Sequence, residues 1–526
     1  MLSVITQEGK ELISKLERAV NEEALSKRCL EGTRQSELES MHSWLLNFQK
    51  PNIMWLSADP GTGKSAIVAH FAFQLRESHR RCIVHAFNRN VYTKPVDLWC
   101  SMAHQISQQY AICRGIVVTK LKDSVINLGY ATGQEIFQKL VVDPLRHLVT
   151  SDLSIAQDNL PVFIIDALDE CGGLSGPSVM KSRKEVMSQI AQWSKLLPEF
   201  KLIVTSRPEE DITDLFSTIP NEPIAIATND SNPDFIQDVT SFVRHRLNTM
   251  TVKQRPLDWP GEEAIVDLAC RSSGIFIWAV TALDFIEEFD PINRLRKVRA
   301  GGVALKGVNA LYHQILGMSF SDDDSVKEFT KLMSAVIVMQ RFLGPSDYAS
   351  LLDMDTYTVH SICGKLRSVL DFGTVLQVKH ASFVDFLVTR EAQSDVRFCV
   401  NPDNGHRLLT ESAFRVMNKG LHFNICDMSS SFIANDTLGL EHFQHAIGPI
   451  LAYSCQFWGY HIEHTRTRVD GSMIVPFMCR NFPSWLEAMS GLGQSYFAFL
   501  SLKALSNWVG EMETGGTPVS GYAYLI

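Results

Sequence analysis

The sequence predicts an open, doubly wound α/β domain built on a five-stranded parallel sheet, followed by a series of all-helical segments. Three observations carry this. An apolar run, Ile53 to Leu56, breaks into ADPGTGKS and then enters a helical stretch, AIVAHFAFQLRE. A second run, Val162 to Ile165, ends in the acids Asp166, Asp169 and Glu170. A third, Leu202 to Val204, ends in Thr205, Ser206 and Arg207. Short unbroken apolar runs mark strands buried on both faces, as in parallel sheets. CIVHAF (Cys82 to Phe87) and EPIAIA (Glu222 to Ala227) supply the other two strands, and helical patterns separate all five.

A chain of 526 residues exceeds what one core serves. The expected divisions are a helical lead-in (1–50), the sheet domain (51–228), a helical domain (229–305), a winged-helix domain (306–390), a further helical domain (391–510) and a flexible tail (511–526). Hydrophobic residues make up 45% and charged residues 20%, as in ordinary globular proteins. The net charge of −9 argues against a generally basic nucleic-acid-binding surface. The eleven cysteines form no CxxC pair and no metal-ligand cluster, which reads as reduced thiols in an intracellular protein. The most apolar stretch, Ile275 to Leu283, is far too short for a membrane span. Glu8 and Glu11 come too early for a secretory signal. The expected compartment is the cytoplasm.

The run Ala58, Asp59, Pro60, Gly61, Thr62, Gly63, Lys64, Ser65, Ala66 fits a phosphate-binding loop in spacing and in context, since it joins a strand to a helix. Gly61 and Gly63 let backbone N–H groups converge on phosphate oxygens, because no Cβ blocks the approach. The helix starting near Lys64 adds the positive end of its dipole. Lys64 is placed to reach the β- and γ-phosphates, and the Ser65 hydroxyl to join a Mg²⁺ shell. Ala58 stands where the usual pattern has its first glycine, a change tolerated if φ stays negative. The competing reading is a chance Gly-rich turn.

Asp166 emerges at the carboxyl end of its strand, where ligands of open α/β sheets collect, and suits a Mg²⁺-holding role, direct or through water. Asp169 and Glu170 follow at a spacing that sets one carboxylate beside an attacking water. Arg207, at the tip of the next strand, can sense or stabilise charge on a γ-phosphate. Its competing reading is a local ion pair with Glu209, Glu210 or Asp211.

WLSADPGTGKS, FIIDALDEC and KLIVTSRPE, in that order, closely resemble the NACHT-type P-loop NTPases of the STAND class, nearest to the fungal set often labelled nephrocystin-like. CLEGTR (Cys29 to Arg34) looks like that family's lead-in, SSGIFIWAVTALDFIEE like its segment after the sheet, and KHASFVDFLV, LHFNICDMSSS and ILAYSCQFWGYHI like its later helical region. The resemblance covers roughly residues 25 to 510. It implies an AAA+-like core used as a signalling switch: ADP holds a closed state, and exchange for ATP releases a form that associates with itself or a partner. It also implies that Arg34 lies near the base or ribose and that the segment around Gly274 packs on adenine. His380, in VKHASFVDFL, matches a histidine that touches the β-phosphate of ADP from the winged-helix side in related proteins. Its competing reading is a satisfied structural histidine among sixteen.

Phe235, Val239, Phe242, Val243 and Leu247 share one helical face and read as core. In 306–390, helices are followed by two β-like pieces, VLQV and the start of KHASFVDFL, an order that suits a winged helix. The candidate recognition helix, Thr356 to Leu370, carries only Lys365 and Arg367 beside Asp355 and Asp371, a poor phosphate footprint. No repeat of solenoid or propeller period follows residue 400, and only a short lead-in precedes the sheet, so neither sensor nor effector module is visible. The favoured function is a switch binding ADP or ATP (GTP stays open) with Mg²⁺ and hydrolysing slowly at most. A turnover ATPase and a scaffold with a vestigial site are the alternatives.

Overall fold

A computed structural model describes residues 7–17, 27–88, 94–151 except 124 and 129, 160–172, 177–226, 233–300 except 253–255 and 289, 307–389, and 396–514 except 431, 466–468 and 470. The chain divides into two compact units, residues 1–308 and 309–526.

The first unit opens with α1 (Gln7–Ser14) and α2 (Gln35–Leu46). The sheet domain then alternates β1 (Ile53–Ala58), α3 (Lys64–Glu77), β2 (Cys82–Ala86), α4 (Pro95–Gln109), α5 (Ala111–Lys122), α6 (Asp143–Ser151), β3 (Val162–Asp166), α7 (Pro177–Trp193), β4 (Leu202–Ser206), α8 (Glu210–Thr218) and β5 (Glu222–Ile226). A short helix at Gly133–Ile136 and a π-helical turn at Phe137–Val142 lead into α6. Four helices complete the unit: α9 (Pro233–Thr249), α10 (Glu262–Ser272), α11 (Phe276–Glu287) and α12 (Pro291–Ala300).

All five strands run parallel in the order β2-β3-β4-β1-β5, so β4 stands between the strand that feeds the glycine loop and the strand that ends in acids. Five parallel strands with helices packed on both faces form the open, doubly wound α/β sheet that the sequence predicts. Ala227, expected in the fifth strand, lies outside the described residues.

Strand parity positions the site. Successive side chains alternate between the two faces. Ile53, Trp55, Phe163, Ile165, Leu202 and Val204 join one core with Leu98 and Trp99 of α4 and Val186, Ile190 and Trp193 of α7. Met54, Leu56, Val162, Ile164 and Ile203 join another, with Trp44 of α2 and Ile67, Val68 and Phe71 of α3. Each fully buried Val, Leu, Ile or Phe contributes about 1.5–3 kcal/mol relative to exposure, so a one-residue slip of register would be prohibitive. The same parity turns Asp166 and Thr205 toward α3, the helix that carries Lys64 and Ser65.

In the second unit α13 (Val308–Ser319), α14 (Asp323–Val338), α15 (Pro345–Leu352) and α16 (Thr356–Lys365) precede a two-stranded antiparallel ribbon, β6 (Leu370–Asp371) with β7 (Gln377–Val378). Then come α17 (Ala381–Val388), α18 (Pro402–Gly420), α19 (Leu440–Ile447), α20 (Pro449–His464), α21 (Phe482–Gly491) and α22 (Ser495–Thr514). The β-pieces differ from expectation. β7 takes only the end of VLQV, the segment starting at Lys379 is a helix cap instead of a strand, and the other strand is Leu370–Asp371. Residues 366–370 therefore leave the helix expected to reach Leu370. The last helix continues through Thr514, past the expected start of the tail, and 515–526 lie outside the described residues. No helix among the described residues is long and apolar enough to cross a membrane.

Candidate functional site: a phosphate loop with its acids and arginines

β1 delivers the loop. Ala58 is its last residue, so the missing first glycine stands in extended backbone and no positive φ is demanded of it. Gly61 and Gly63 have φ of 77° and 97°, a region that favours glycine. Thr62 is fully buried and its Oγ1 donates to the Asp59 carbonyl at 3.0 Å. Lys64 Nζ donates to the carbonyls of Ala58 (2.8 Å) and Asp59 (3.0 Å), folding back over the loop it terminates. α3 begins at Lys64, so the amides of its first turn lack intrahelical acceptors.

The two glycines face different surroundings. A Cβ on Gly61 would lie 2.1 Å from Ile277 Cγ2, and the Ile277 amide donates to the Gly61 carbonyl at 3.0 Å. A Cβ on Gly63 would meet no protein atom within 4 Å. The loop is thus sealed on one side by the start of α11 and open at Gly63. That open cradle, ringed by main-chain donors and a lysine, fits a phosphate chain. Gly274, the residue expected near adenine, has φ of 78° and packs against Phe235.

Asp166 is buried at the tip of β3 and accepts from the hydroxyls of Thr205 and Ser65. Thr205 Oγ1 also accepts from the Ala167 amide at 2.9 Å, so one hydroxyl pins both the carboxylate and the turn that follows it. Burial pushes the Asp166 carboxyl up, against the bonds from Thr205 and Ser65 and the charge of Lys64. Burial likewise pushes Lys64 down, while Asp169 opposes this and the Arg207 charge adds to it. A serine hydroxyl on a buried carboxylate suits a hard divalent cation such as Mg²⁺, whose charge would relieve the desolvation of Asp166.

Asp169 and Arg207 form one clasp. Asp169 Oδ1 accepts from the Arg207 amide at 3.0 Å and Oδ2 from Arg207 Nε at 3.1 Å, with Asp169 only 3% exposed. Glu170 is half-buried at the end of the 3-10 turn Leu168–Glu170. Of the acids named as local partners of Arg207, Glu209 and Asp211 instead receive Arg183, on α7, at Nη1. Arg183 Nη2 donates to the Asp169 carbonyl at 2.7 Å. Neither Arg183 nor the double role of Thr205 was singled out in the sequence. Thr205 was visible as a strand tip, but nothing in KSRKEV distinguishes Arg183 from its basic neighbours.

Arg34 is 3% exposed and lies beneath the loop. Its Nη2 donates to the Thr62 carbonyl (2.8 Å), its Nη1 to Glu37 (3.2 Å), and its backbone amide to Asp238 (3.0 Å). Its guanidinium carbon stands 4.3 Å from the Phe235 ring centre and 5.1 Å from that of Phe276. These contacts are those of a strut between loop, lead-in and helical segment.

His380 belongs to the second unit. It caps α17: its Nδ1 accepts from the Ser382 amide at 3.1 Å and lies 2.7 Å from Ser382 Oγ, which is 2.8 Å from the Tyr312 hydroxyl. An amide can only donate, so Nδ1 is an acceptor and the neutral ring carries its proton on Nε2.

Residues 32–207 match the family model described as Nephrocystin 3, N-terminal. A curated relative, vegetative incompatibility protein HET-E-1 of Podospora anserina, is 22% identical over 541 residues. That alignment takes in 93% of this chain and 38% of the relative, so this chain spans well under half of that protein's length. Among solved structures, a STAND protein with a tetratricopeptide repeat sensor from Pyrococcus horikoshii aligns over 92% of this chain and 68% of its own, at 13% identity and a TM-score of 0.40. A Walker-type ATPase of Pyrococcus abyssi aligns over 68% of this chain and 95% of its own, at 13% identity and a TM-score of 0.34. On these matches, residues 32–207 carry a domain of the family described as Nephrocystin 3, N-terminal, and the chain is similar over most of its length to a fungal vegetative incompatibility protein.

Proposed function

We propose that the protein is a nucleotide-dependent signalling switch that binds ADP and ATP with Mg²⁺, hydrolyses ATP slowly, and couples the bound state to self-association or to a protein partner. The observation that carries the reading is the convergence of Lys64, Ser65 and Asp166 at the carboxyl edge of the sheet, beside a loop open at Gly63. Amides of the loop and of the first turn of α3 would hold the phosphates, with Lys64 moving from its loop carbonyls to phosphate oxygens. Ser65 and Asp166 would hold Mg²⁺, which when bound neutralises phosphate charge. Both Asp169 oxygens are committed to Arg207, so Glu170 is assigned to align the attacking water and Arg207 to read the γ-phosphate. Arg34 keeps the loop in place.

His380 is proposed as a donor to the diphosphate in the ADP-held state, supported by its Nε2–H tautomer. Its replacement by Ala is expected to weaken ADP more than ATP, since a switch requires differential contact. The domain divisions are proposed as read from the sequence, with 306–390 as a winged helix and a cytoplasmic location. A role in non-self recognition is proposed from the likeness to the incompatibility protein. ADP and ATP are named from the family resemblance of the motifs, and GTP stays open. The test is to identify nucleotide in protein purified under mild conditions. Wild type should carry ADP and Lys64→Ala should not. Wild-type protein that arrives empty and takes up neither ADP nor ATP nor GTP would overturn the reading.

A further inference from the structure

We propose that Arg183 is a positioning residue of the nucleotide site, which sets the angle of Arg207 by holding the backbone of Asp169; the inference rests on the nucleotide reading above. α7 starts near the carboxyl edge of the sheet and packs Val186, Ile190 and Trp193 into the core. That packing carries Arg183, in the same helix, to the level of the strand tips. Arg183 is 7% exposed, and its guanidinium joins two segments. Nη2 holds the Asp169 carbonyl after β3 at 2.7 Å, while Nη1 holds the Glu209 carboxylate and, at 3.3 Å, Asp211 after β4. Asp169 then turns its carboxylate onto the amide and Nε of Arg207. The bonds close a ring: Arg183 to Asp169, Asp169 to Arg207, and two residues along the chain to Glu209, which returns to Arg183.

The ring matters because Asp169 sits in a single 3-10 turn entered through Ala167 at φ of 58°. One such turn has almost no stability of its own. It is fixed from outside, at its start by Thr205 Oγ1 and at Asp169 by Arg183. Two bonds from one carboxylate leave Arg207 little rotational freedom, but only while that carboxylate is itself held. In a buried setting no solvent stands ready to replace a lost guanidinium.

A purely structural Arg183 would stabilise the fold without favouring one nucleotide. The experiment therefore reads a ratio. Dissociation constants for Mg-ADP and for a Mg-complexed non-hydrolysable ATP analogue are measured by calorimetry on the full chain. Wild type, Arg183→Met, Arg183→Lys, Arg207→Ala and the Arg183→Met/Arg207→Ala double variant are compared, and each is melted. Arg183→Met should cut the triphosphate-over-diphosphate preference about tenfold, as loss of a charge-assisted contact does. Arg183→Lys, which keeps one bond and the charge, should recover part of it. In the Arg207→Ala background Arg183→Met should change nothing more, because its effect passes through Arg207. Equal weakening of both nucleotides, a full additional effect on Arg207→Ala, or a ratio that Arg207→Ala itself leaves unchanged would each overturn the inference. Should Arg183→Met fail to fold, Arg183→Lys reads the same ratio, and a wild-type value there also overturns it. A wild type that binds neither nucleotide refutes the underlying reading instead.

Discussion

Asp169 grips Arg207 at two points, its amide at 3.0 Å and its Nε at 3.1 Å, so one of the two acids expected beside the hydrolytic water is already engaged. A carboxylate that orients a cation this way is poorly placed to accept a proton as well. Asp169→Asn keeps one acceptor for the amide but loses the charge pair with Nε. ATP turnover is expected to fall roughly tenfold with ADP affinity nearly unchanged, while Glu170→Gln should fall about a hundredfold, as for loss of a water-aligning base. Single-turnover hydrolysis distinguishes the two variants, and a larger loss in Asp169→Asn would reverse their roles.

Gly61 and Gly63 are two residues apart and should fail differently. At Gly61 a methyl group would lie 2.1 Å from Ile277 Cγ2 and 2.8 Å from its Cβ, on backbone whose φ is 77°. Gly61→Ala should lower the melting temperature of the first unit by several degrees, on the scale of an overpacked core costing about 1–3 kcal/mol. Gly63→Ala meets no protein atom but must adopt φ of 97°, a cost of about 1–2 kcal/mol, and its methyl would enter the space assigned to phosphate. It should therefore lose nucleotide with a smaller drop in melting temperature than Gly61→Ala. Nucleotide retained by Gly63→Ala would place the phosphates elsewhere.

The sheet and the loop were legible because they follow from local rules. Apolar runs mark the strands, unbroken in β1, β3 and β4 and interrupted by His85 in β2, and strand parity alone turns Asp166 to the face of α3. What the sequence hid was partnership across long separations. Arg207 was expected to have Glu209, Glu210 or Asp211 as its local alternatives, yet it pairs with Asp169, while Arg183 takes Glu209 and Asp211. Charges within a few residues of each other share a loop, and which pairs form depends on how a distant helix enters it. Arg34 was placed near the base on likeness alone, and its surroundings, two aromatic rings and the Thr62 carbonyl, come from segments far along the chain. The ribbon in the second unit was misplaced because two-residue strands carry no period to read.

Arg34 links the loop to α9 and α11, so its loss should act on both stability and binding. Removing its side chain takes the guanidinium donor from the Thr62 carbonyl and the Arg34 charge from Glu37 and Asp238. Breaking a buried charged contact costs about 3–5 kcal/mol. Arg34→Met should destabilise the first unit by that order in urea titration and weaken ADP at temperatures where the unit stays folded. Arg34→Lys should not restore it, since a point charge cannot reproduce a fork held between two rings. Full recovery by Lys would make Arg34 a simple charge.

The second unit contains a chain of neutral histidines whose tautomers are fixed from one end. The Gln340 amide donates to the Tyr453 hydroxyl at 3.3 Å, which directs the tyrosine proton to His461 Nε2 at 2.8 Å. His461 Nδ1 then donates to His406 Nδ1 at 3.0 Å, joining α20 to α18. A proton added to His406 Nδ1 would set two donors face to face. Burial lowers His406 to about 3 and His461 well below its usual range; the neighbouring His464 adds to both shifts, while Asp403 opposes that of His406. Folded values below the unfolded value of about 6.5 mean that the unfolded chain binds the extra protons. The stability these residues contribute is complete above pH 6.5 and is lost as pH falls toward 3. Each histidine should cost the folded state about 1.4 kcal/mol between pH 7.5 and 5.5, so urea midpoints for the second unit should fall measurably over that interval. His406→Gln should flatten the dependence by about one histidine's share, and an unchanged slope in that variant would show that this chain does not control it.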